Sequence, residues 1–211
     1  MSTIQRTQTH RYMCFNCPNV TLSLSEECKD YLRMRSRGRR ISNIEIKMSV
    51  NKDFMNCFPR RINNLDISST MSNDLKYLSQ GSTPHVRRFS SFNANGFKFD
   101  RKANKNIRET NLAYYGKLED IIKLNYYARF KVTLFKCKWT DTTKDRAFRK
   151  DPWGFTSINF SRLIHIGDHR EHDPYIEVSQ AEMVYYVNDE VNKNWIIVGH
   201  LKPRGLYDIR E

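Results

Sequence analysis

Met183-Val184-Tyr185-Tyr186-Val187 and Trp195-Ile196-Ile197-Val198 are the stretches on which the reading of the fold turns. Both are runs of β-branched and aromatic residues, which fit the pleated, half-buried surface of a sheet. A polar loop, Asn188 to Asn194, separates them. Two strands joined by a loop are therefore predicted.

Upstream of this pair the same pattern recurs. In residues 130–139, Val132 and Leu134 fall on one face and Thr133, Phe135, Cys137 and Trp139 on the other. That is the period-two alternation of a strand. Residues 154–160 and 175–178 are two further candidates. Residues 114–124 are ambiguous, because Leu118, Ile121 and Ile122 also fit a helix face. Several short strands at close spacing predict a small antiparallel barrel or sandwich. Our expectation is an α+β, mainly β fold: a small SH3-like barrel over 110–211, preceded by a basic, partly helical region over 1–109.

That first region is Arg-, Asn- and Ser-rich. Leu24, Cys28, Tyr31 and Leu32 share one helical stripe, Ser23 and Glu26 suit a capping box, and Gly38 is placed to end a helix over about 25–37. A second helical pattern at 53–62 is interrupted by Pro59, which removes a hydrogen bond. Ser72 and Gly81 bracket a short helix carrying Leu75 and Leu78. Asn95-Gly96 lies between Val86–Phe92 and Phe97–Phe99, and this dipeptide suits the positive φ angles of a tight hairpin turn.

The 211 residues carry a net charge of +13, from 36 Lys and Arg against 23 Asp and Glu. Such a balance attracts polyanions. No run approaches the ~18 apolar residues of a membrane span, and residues 1–13 do not form a secretory signal. Five cysteines then read as free thiols of a reducing compartment.

The basic residues are not evenly spread. Arg33, Arg35, Arg37, Arg39 and Arg40 cluster at and beyond the end of the first helical pattern. Arg87, Arg88, Lys98, Arg101, Lys102, Lys105 and Arg108, with His85, flank Phe89, Phe92, Phe97 and Phe99. Cations bind phosphates by releasing counterions, and exposed rings stack on unpaired bases. These residues are the candidate nucleic-acid surface. The plainer reading makes the phenylalanines hairpin core and the cations merely solvated.

Other constellations carry less. Cys14-x-x-Cys17 with His10 and Cys28 has part of a zinc spacing but lacks its second half. His165, His169 and His172 with Asp168 and Asp173 resemble a metal cluster but read as a polar loop. Tyr114, Tyr115, Trp139, Trp153, Tyr185, Tyr186 and Trp195 could build a cage for a methylated lysine, although core is their commoner role. No nucleophile elbow or Walker-type phosphate loop is legible. The sequence thus predicts no enzyme, no cofactor and no metal.

One resemblance spans most of the chain. Tyr114-Tyr115-Gly116-Lys117-Leu118-Glu119-Asp120-Ile121-Ile122-Lys123-Leu124 is followed by Leu134-Phe135-Lys136-Cys137-Lys138-Trp139, Gly154-Phe155-Thr156-Ser157-Ile158-Asn159, Asp173-Pro174-Tyr175-Ile176, Ser179-Gln180-Ala181-Glu182 and Lys202-Pro203-Arg204-Gly205-Leu206-Tyr207-Asp208. Upstream lie Asn95-Gly96-Phe97-Lys98-Phe99, Leu75 to Gly81 and His10 to Cys17. This order resembles the C-terminal domain of unknown function of plant CACTA (En/Spm-type) transposon transposases. The resemblance implies a nuclear, non-catalytic accessory module detached from the catalytic domain of that family. Its expected partners are nucleic acid, bound without sequence preference, or transposase and chromatin proteins; an inert remnant is the remaining reading.

Overall fold

The structure is a computed structural model, and it describes residues 1–17, 42, 45, 58–59, 62, 73–102, 106–109, 114–143 and 145–203. The chain forms two compact units. The first comprises Met1–His85, Asn125–Lys131 and His169–Asp173; the second comprises Val86–Leu124, Val132–Asp168 and Pro174–Glu211. The helix expected at 25–37 lies outside the described residues, as does the greater part of 53–62, where Phe58, Pro59 and Ile62 are helical and Phe58 and Ile62 are buried.

The first unit begins with a helix absent from the sequence expectations, α1 (Thr3–Phe15). Its start is set by a capping box: the Gln5 N–H donates to Ser2 Oγ at 3.2 Å, and the Ser2 N–H donates to Gln5 Oε1 at 3.1 Å. Two otherwise orphaned donors are thereby satisfied. Gln8, Thr9, Tyr12 and Cys14 form its buried side. That side is largely polar, so no apolar stripe announces the helix. The expected short helix is present as α2 (Asn73–Gln80), with Leu75 and Leu78 buried. Gly81, at φ +78°, follows it, and its N–H donates to the Leu78 carbonyl at 3.0 Å. Only glycine enters that left-handed region without a Cβ penalty.

The second unit is built on a sheet. In chain order its strands are β1 (Arg87–Arg88), β2 (Ser91–Ala94), β3 (Phe97–Asp100), β4 (Asn106–Glu109), β5 (Tyr115–Tyr126), β6 (Phe130–Trp139), β7 (Phe148–Lys150), β8 (Thr156–Ile158), β9 (Tyr175–Glu177), β10 (Ala181–Asn188) and β11 (Ile196–His200). The distal ends of β5 and β6, within 125–131, are counted with the first unit. The main sheet runs β7-β8-β11-β10-β4-β5-β6-β9, with β1 also on β5; β2 and β3 form a separate hairpin. The ambiguous 114–124 segment is strand: β5 pairs with β4 at Asn106↔Lys117, Ile107↔Gly116 and Arg108↔Tyr115.

One expectation needs correction. No closed barrel forms, because β7 and β9 end the strand order without pairing to each other. Each is only three residues long, a common way to blunt a sheet edge. β4 pairs with both β10 and β5 and so belongs to the same sheet. The compact unit that holds it includes Val86–Leu124.

The main core gathers Phe99, Ile107, Leu118, Ile121, Phe135, Cys137, Trp139, Ile176, Ala181 and Met183. A second cluster holds Tyr115, Ile158, Val184 and Val198. The β2–β3 hairpin turns at Asn95 (φ +52°) and Gly96 (φ +75°), as that dipeptide predicts. Asn95 has a further role. Its Nδ2 lies 3.1, 3.0 and 3.0 Å from the carbonyl oxygens of Val178, Ser179 and Ala181, around the 3₁₀ turn Val178–Gln180. The hairpin is thus tied to the start of β10. At the centre of the sheet, a Cβ on Gly116 would stand 2.7 Å from Trp139 Cε3, so the indole covers bare backbone there.

Two outcomes follow for stability. Asn95→Ala removes the amide donor and places a Cβ-bearing, non-Asx residue at positive φ, so it costs about 1–3 kcal/mol, whereas Asn95→Gly keeps the turn and loses less. Gly116→Ala forces the Trp139 ring aside and costs about 1–3 kcal/mol. Urea denaturation midpoints of the three variants against the parent chain measure both effects.

Candidate nucleic-acid interface

β5 has β6 along one edge and a divided partner along the other. β4 covers its first half and β1 its second, with Arg87↔Lys123 and Arg88↔Ile122 as paired positions. The Phe89 N–H adds a bond of 3.0 Å to the Ile121 carbonyl. This places Arg87 directly across from Lys123. Like charges so opposed repel each other, and an anion between them relieves the repulsion.

On the alternate face of β5, Asp120 lies among Leu118, Ile122 and Leu124 and is 8% exposed. A buried carboxylate requires partners. Arg88 Nη1 approaches its Oδ2 at 3.2 Å, and Arg101 Nη1 donates to its Oδ1 at 3.1 Å. The Ile121 N–H completes the set at 3.0 Å. Both arginine side chains remain 40–46% exposed, so one carboxylate fixes two guanidinium groups whose outer edges face solvent. Lys102 is exposed beside Arg101, and its backbone N–H donates to Asp100 Oδ1 at 2.8 Å. Around this edge Arg87 and Lys123 share one face of β5, while Arg88 and Arg101 meet Asp120 on the other, with Lys102 next to Arg101.

Other candidates are placed apart from these. Lys98 lies across the hairpin from Asn93 and, with Lys202, lines a groove of about 980 Å³ that also meets Asn95, Asp100, Met183 and Leu201. Arg108 is turned to Glu182 at 3.7 Å and to His200 Nδ1 at 3.4 Å. Arg33, Arg35, Arg37, Arg39, Arg40 and Lys105 lie outside the described residues.

The rings interleaved with the cations do not form a platform for bases. Phe99 is fully buried, and Phe89, Phe92 and Phe97 pack against the same core. Phe99 stands 4.6 Å from Phe135, and Phe92 meets that ring edge-on at 6.5 Å. Arg87 does lie over Phe89, at 5.2 Å from its centroid.

Several cations are neutralised within the sheet. Lys136 and Lys138 hold Glu119 at 2.8 and 3.0 Å. Partial burial raises the Glu119 pKa, but hydrogen bonds from both lysines outweigh it and keep the carboxyl below its ordinary range. Lys117 lies over the Phe160 ring at 4.5 Å.

The metal-like clusters fare as follows. Cys14 Sγ stands 3.8 Å from His10 Nδ1. Burial, helped by Arg6, lowers His10 to about 4, and burial pushes the Cys14 thiol upward. Both groups are held neutral, and a protonated thiol is a poor zinc ligand. Cys28 lies outside the described residues. His169 and His172 meet edge-to-face at 5.0 Å, while Gln8 Nε2 donates to the His169 carbonyl at 2.7 Å. Among the described residues no three metal-ligating side chains converge. The aromatic-cage candidates are dispersed: Trp139 is in the main core, Tyr115 and Tyr186 belong to the second cluster, and Trp195 carries Arg149 at 4.0 Å.

Asp120, Lys123 and Glu119 are absent from the sequence-based candidates. The signal for Asp120 was available only once 114–124 is read as a strand, because alternation then sets a carboxylate among Leu118, Ile122 and Leu124.

No helix among the described residues is long and apolar enough to cross a membrane. No curated protein and no solved structure matches the chain. Residues 122–198, from the second half of β5 into β11, match the family model of a domain of unknown function (DUF4216).

Proposed function

We propose that this chain is a non-catalytic, transposon-derived accessory module that binds nucleic acid electrostatically and without sequence preference. The observation that carries this reading is the cation-rich edge at the second half of β5, where Arg87 faces Lys123 on one face and Asp120 orients Arg88 and Arg101 on the other. Guanidinium groups offer several N–H donors in a fixed fork that matches phosphate oxygens. Here that fork is oriented before any ligand arrives, which lowers the entropy lost on binding. The net charge of +13 supplies long-range attraction. Among the described elements none has the form of a groove-reading motif, so the contact is with backbone rather than bases.

The resemblance to the C-terminal domain of CACTA-type transposases supports a nuclear setting beside mobile DNA. In such a setting the recombination chemistry belongs to another domain and this one adds affinity. A domain that docks transposase or chromatin proteins is the competing reading, and salt separates the two.

Fluorescence anisotropy with labelled duplex and single-stranded DNA between about 50 and 200 mM salt is the test. Each phosphate contact contributes a slope of about −0.9 in log K against log salt on duplex DNA. Replacing Arg87, Arg88, Arg101 and Lys102 together by Ala is expected to weaken binding at least ten-fold at the low-salt end and to flatten the slope by about 2–4. Absence of binding at low salt, or an affinity indifferent to salt, sinks the reading. Asp120→Asn removes one negative charge, raising the net positive charge by one, yet releases the two arginines. Pre-orientation predicts weaker binding for this variant, whereas charge alone predicts stronger binding.

A further inference from the structure

The β7–β8 turn, Asp151-Pro152-Trp153-Gly154-Phe155, is not used by the basic patch. It is closed by hydrogen bonds centred on one residue. The Asp151 N–H donates to the Phe155 carbonyl at 3.0 Å, and the Gly154 N–H donates to the Asp151 carbonyl at 3.0 Å. The Phe155 N–H donates to Asp151 Oδ1 at 2.8 Å. Gly154 sits at φ +89°, a conformation that excludes most other residues, and Pro152 has a restricted φ two residues before it. The turn is therefore rigid.

What it holds in place are two exposed rings. Trp153 is 83% exposed and Phe155 59%. Fold stability does not explain this, because burying either ring would contribute stabilisation that the turn forgoes. Beside the turn is a cavity of about 320 Å³ lined by Arg149, Lys150, Asp151, Phe155, Ser157, Asp189 and Ile197. That lies at the small end of ligand pockets, roughly 300 Å³ and upward. Phe155 and Ile197 give it apolar walls. Arg149 is already positioned, between Asp189 Oδ2 at 3.2 Å and the Trp195 ring at 4.0 Å. Asp189 is held ionised by the backbone and side-chain N–H groups of Asn192, with help from Val191 and Arg149. Arg146 and Lys150 are exposed close by in sequence.

We propose that the Trp153–Phe155 turn and its adjoining cavity form a second contact, one that takes an unpaired base of single-stranded nucleic acid. The rings stack on the base, and Arg146 and Lys150 meet the flanking phosphates. Base–aromatic stacking tolerates any sequence, since every base has a π face. A duplex keeps its bases stacked on one another, so this contact favours single strands. Of the two carboxylates beside the cavity, Asp189 is paired with Arg149 and Asp151 is engaged by the Phe155 N–H. This leaves Lys150 and the exposed Arg146 to meet phosphate. Two exposed rings so flanked suit a nucleic acid better than a protein partner, whose interface would centre on a larger desolvated apolar core. The inference rests on the nucleic-acid reading above but on different residues. β7 and β5 are separated by five steps in the strand order, roughly 24 Å at about 4.8 Å a step. One oligonucleotide of ~20 residues is long enough to reach both.

The test uses the full chain with a ~20-nucleotide oligothymidylate and a duplex of equal length at about 50 mM salt. Trp153→Ala is expected to weaken oligothymidylate binding roughly ten-fold, to leave duplex binding within about two-fold, and to remove the quenching of tryptophan fluorescence on titration. Trp153→Phe keeps a ring and retains most of the affinity. Because Trp153 is exposed, these substitutions leave the core intact. Unchanged oligothymidylate affinity in Trp153→Ala overturns the proposal, as does an equal loss on both ligands. Concentration-dependent self-association that Trp153→Ala abolishes, with oligothymidylate affinity unchanged, would assign the turn to a second copy of the chain and equally overturn it. If the β5-edge alanines abolish binding and Trp153→Ala does nothing, the general reading stands and this one falls. The converse result keeps the turn and removes the edge.

Discussion

β5 is the constraint around which the second unit is organised. A central strand must pair its backbone groups along both edges, because buried N–H and C=O groups left alone cost about as much as a lost hydrogen bond. β6 lies along one edge, while the other is shared in sequence by β4 and β1. That division brings residues 87–88, 106–109 and 115–124 together and links them through β4 to β10. The charged patch is a consequence. It exists because a two-residue arginine strand is the piece that completes β5.

The positive charge of the chain is consequently not one quantity. Glu119 absorbs Lys136 and Lys138, Glu182 faces Arg108, and Asp189 holds Arg149. These pairs anchor the sheet's own surface, and exposed ion pairs of this kind contribute little to stability, on the order of 0–1 kcal/mol. The β5 edge differs because its one buried carboxylate is shared by two arginines and because Arg87 meets Lys123. Excess charge gathered by the fold, rather than total charge, is what recommends this edge as a phosphate surface.

Several elements were legible locally. Asn95-Gly96 specified its turn, the alternation over 130–139 marked β6, and the runs at 183–187 and 195–198 fall within or overlap β10 and β11. Leu75 and Leu78 with Gly81 marked α2. Others were hidden for identifiable reasons. The buried side of α1 is polar, so only the Ser2–Gln5 capping box signalled it. β7 is three residues inside a charged segment, too short to show a period. The segment 114–124 is apolar at both two- and three-to-four-residue intervals, and pairing with β4 and β1 settled it as strand.

The sequence by itself determined a mainly β chain with excess positive charge, a tight turn at Asn95-Gly96 and aromatic residues interleaved with cations. These are properties of neighbouring residues, and the period of apolar side chains is enough to express them. Only the tertiary structure decided that the sheet stays open, that Phe89, Phe92, Phe97 and Phe99 turn inward, and that Trp153 and Phe155 do not. Only it brought Arg88 and Arg101 to Asp120. Strand order and the partners of a buried carboxylate depend on contacts between residues far apart in the chain, and such contacts leave no period in the sequence.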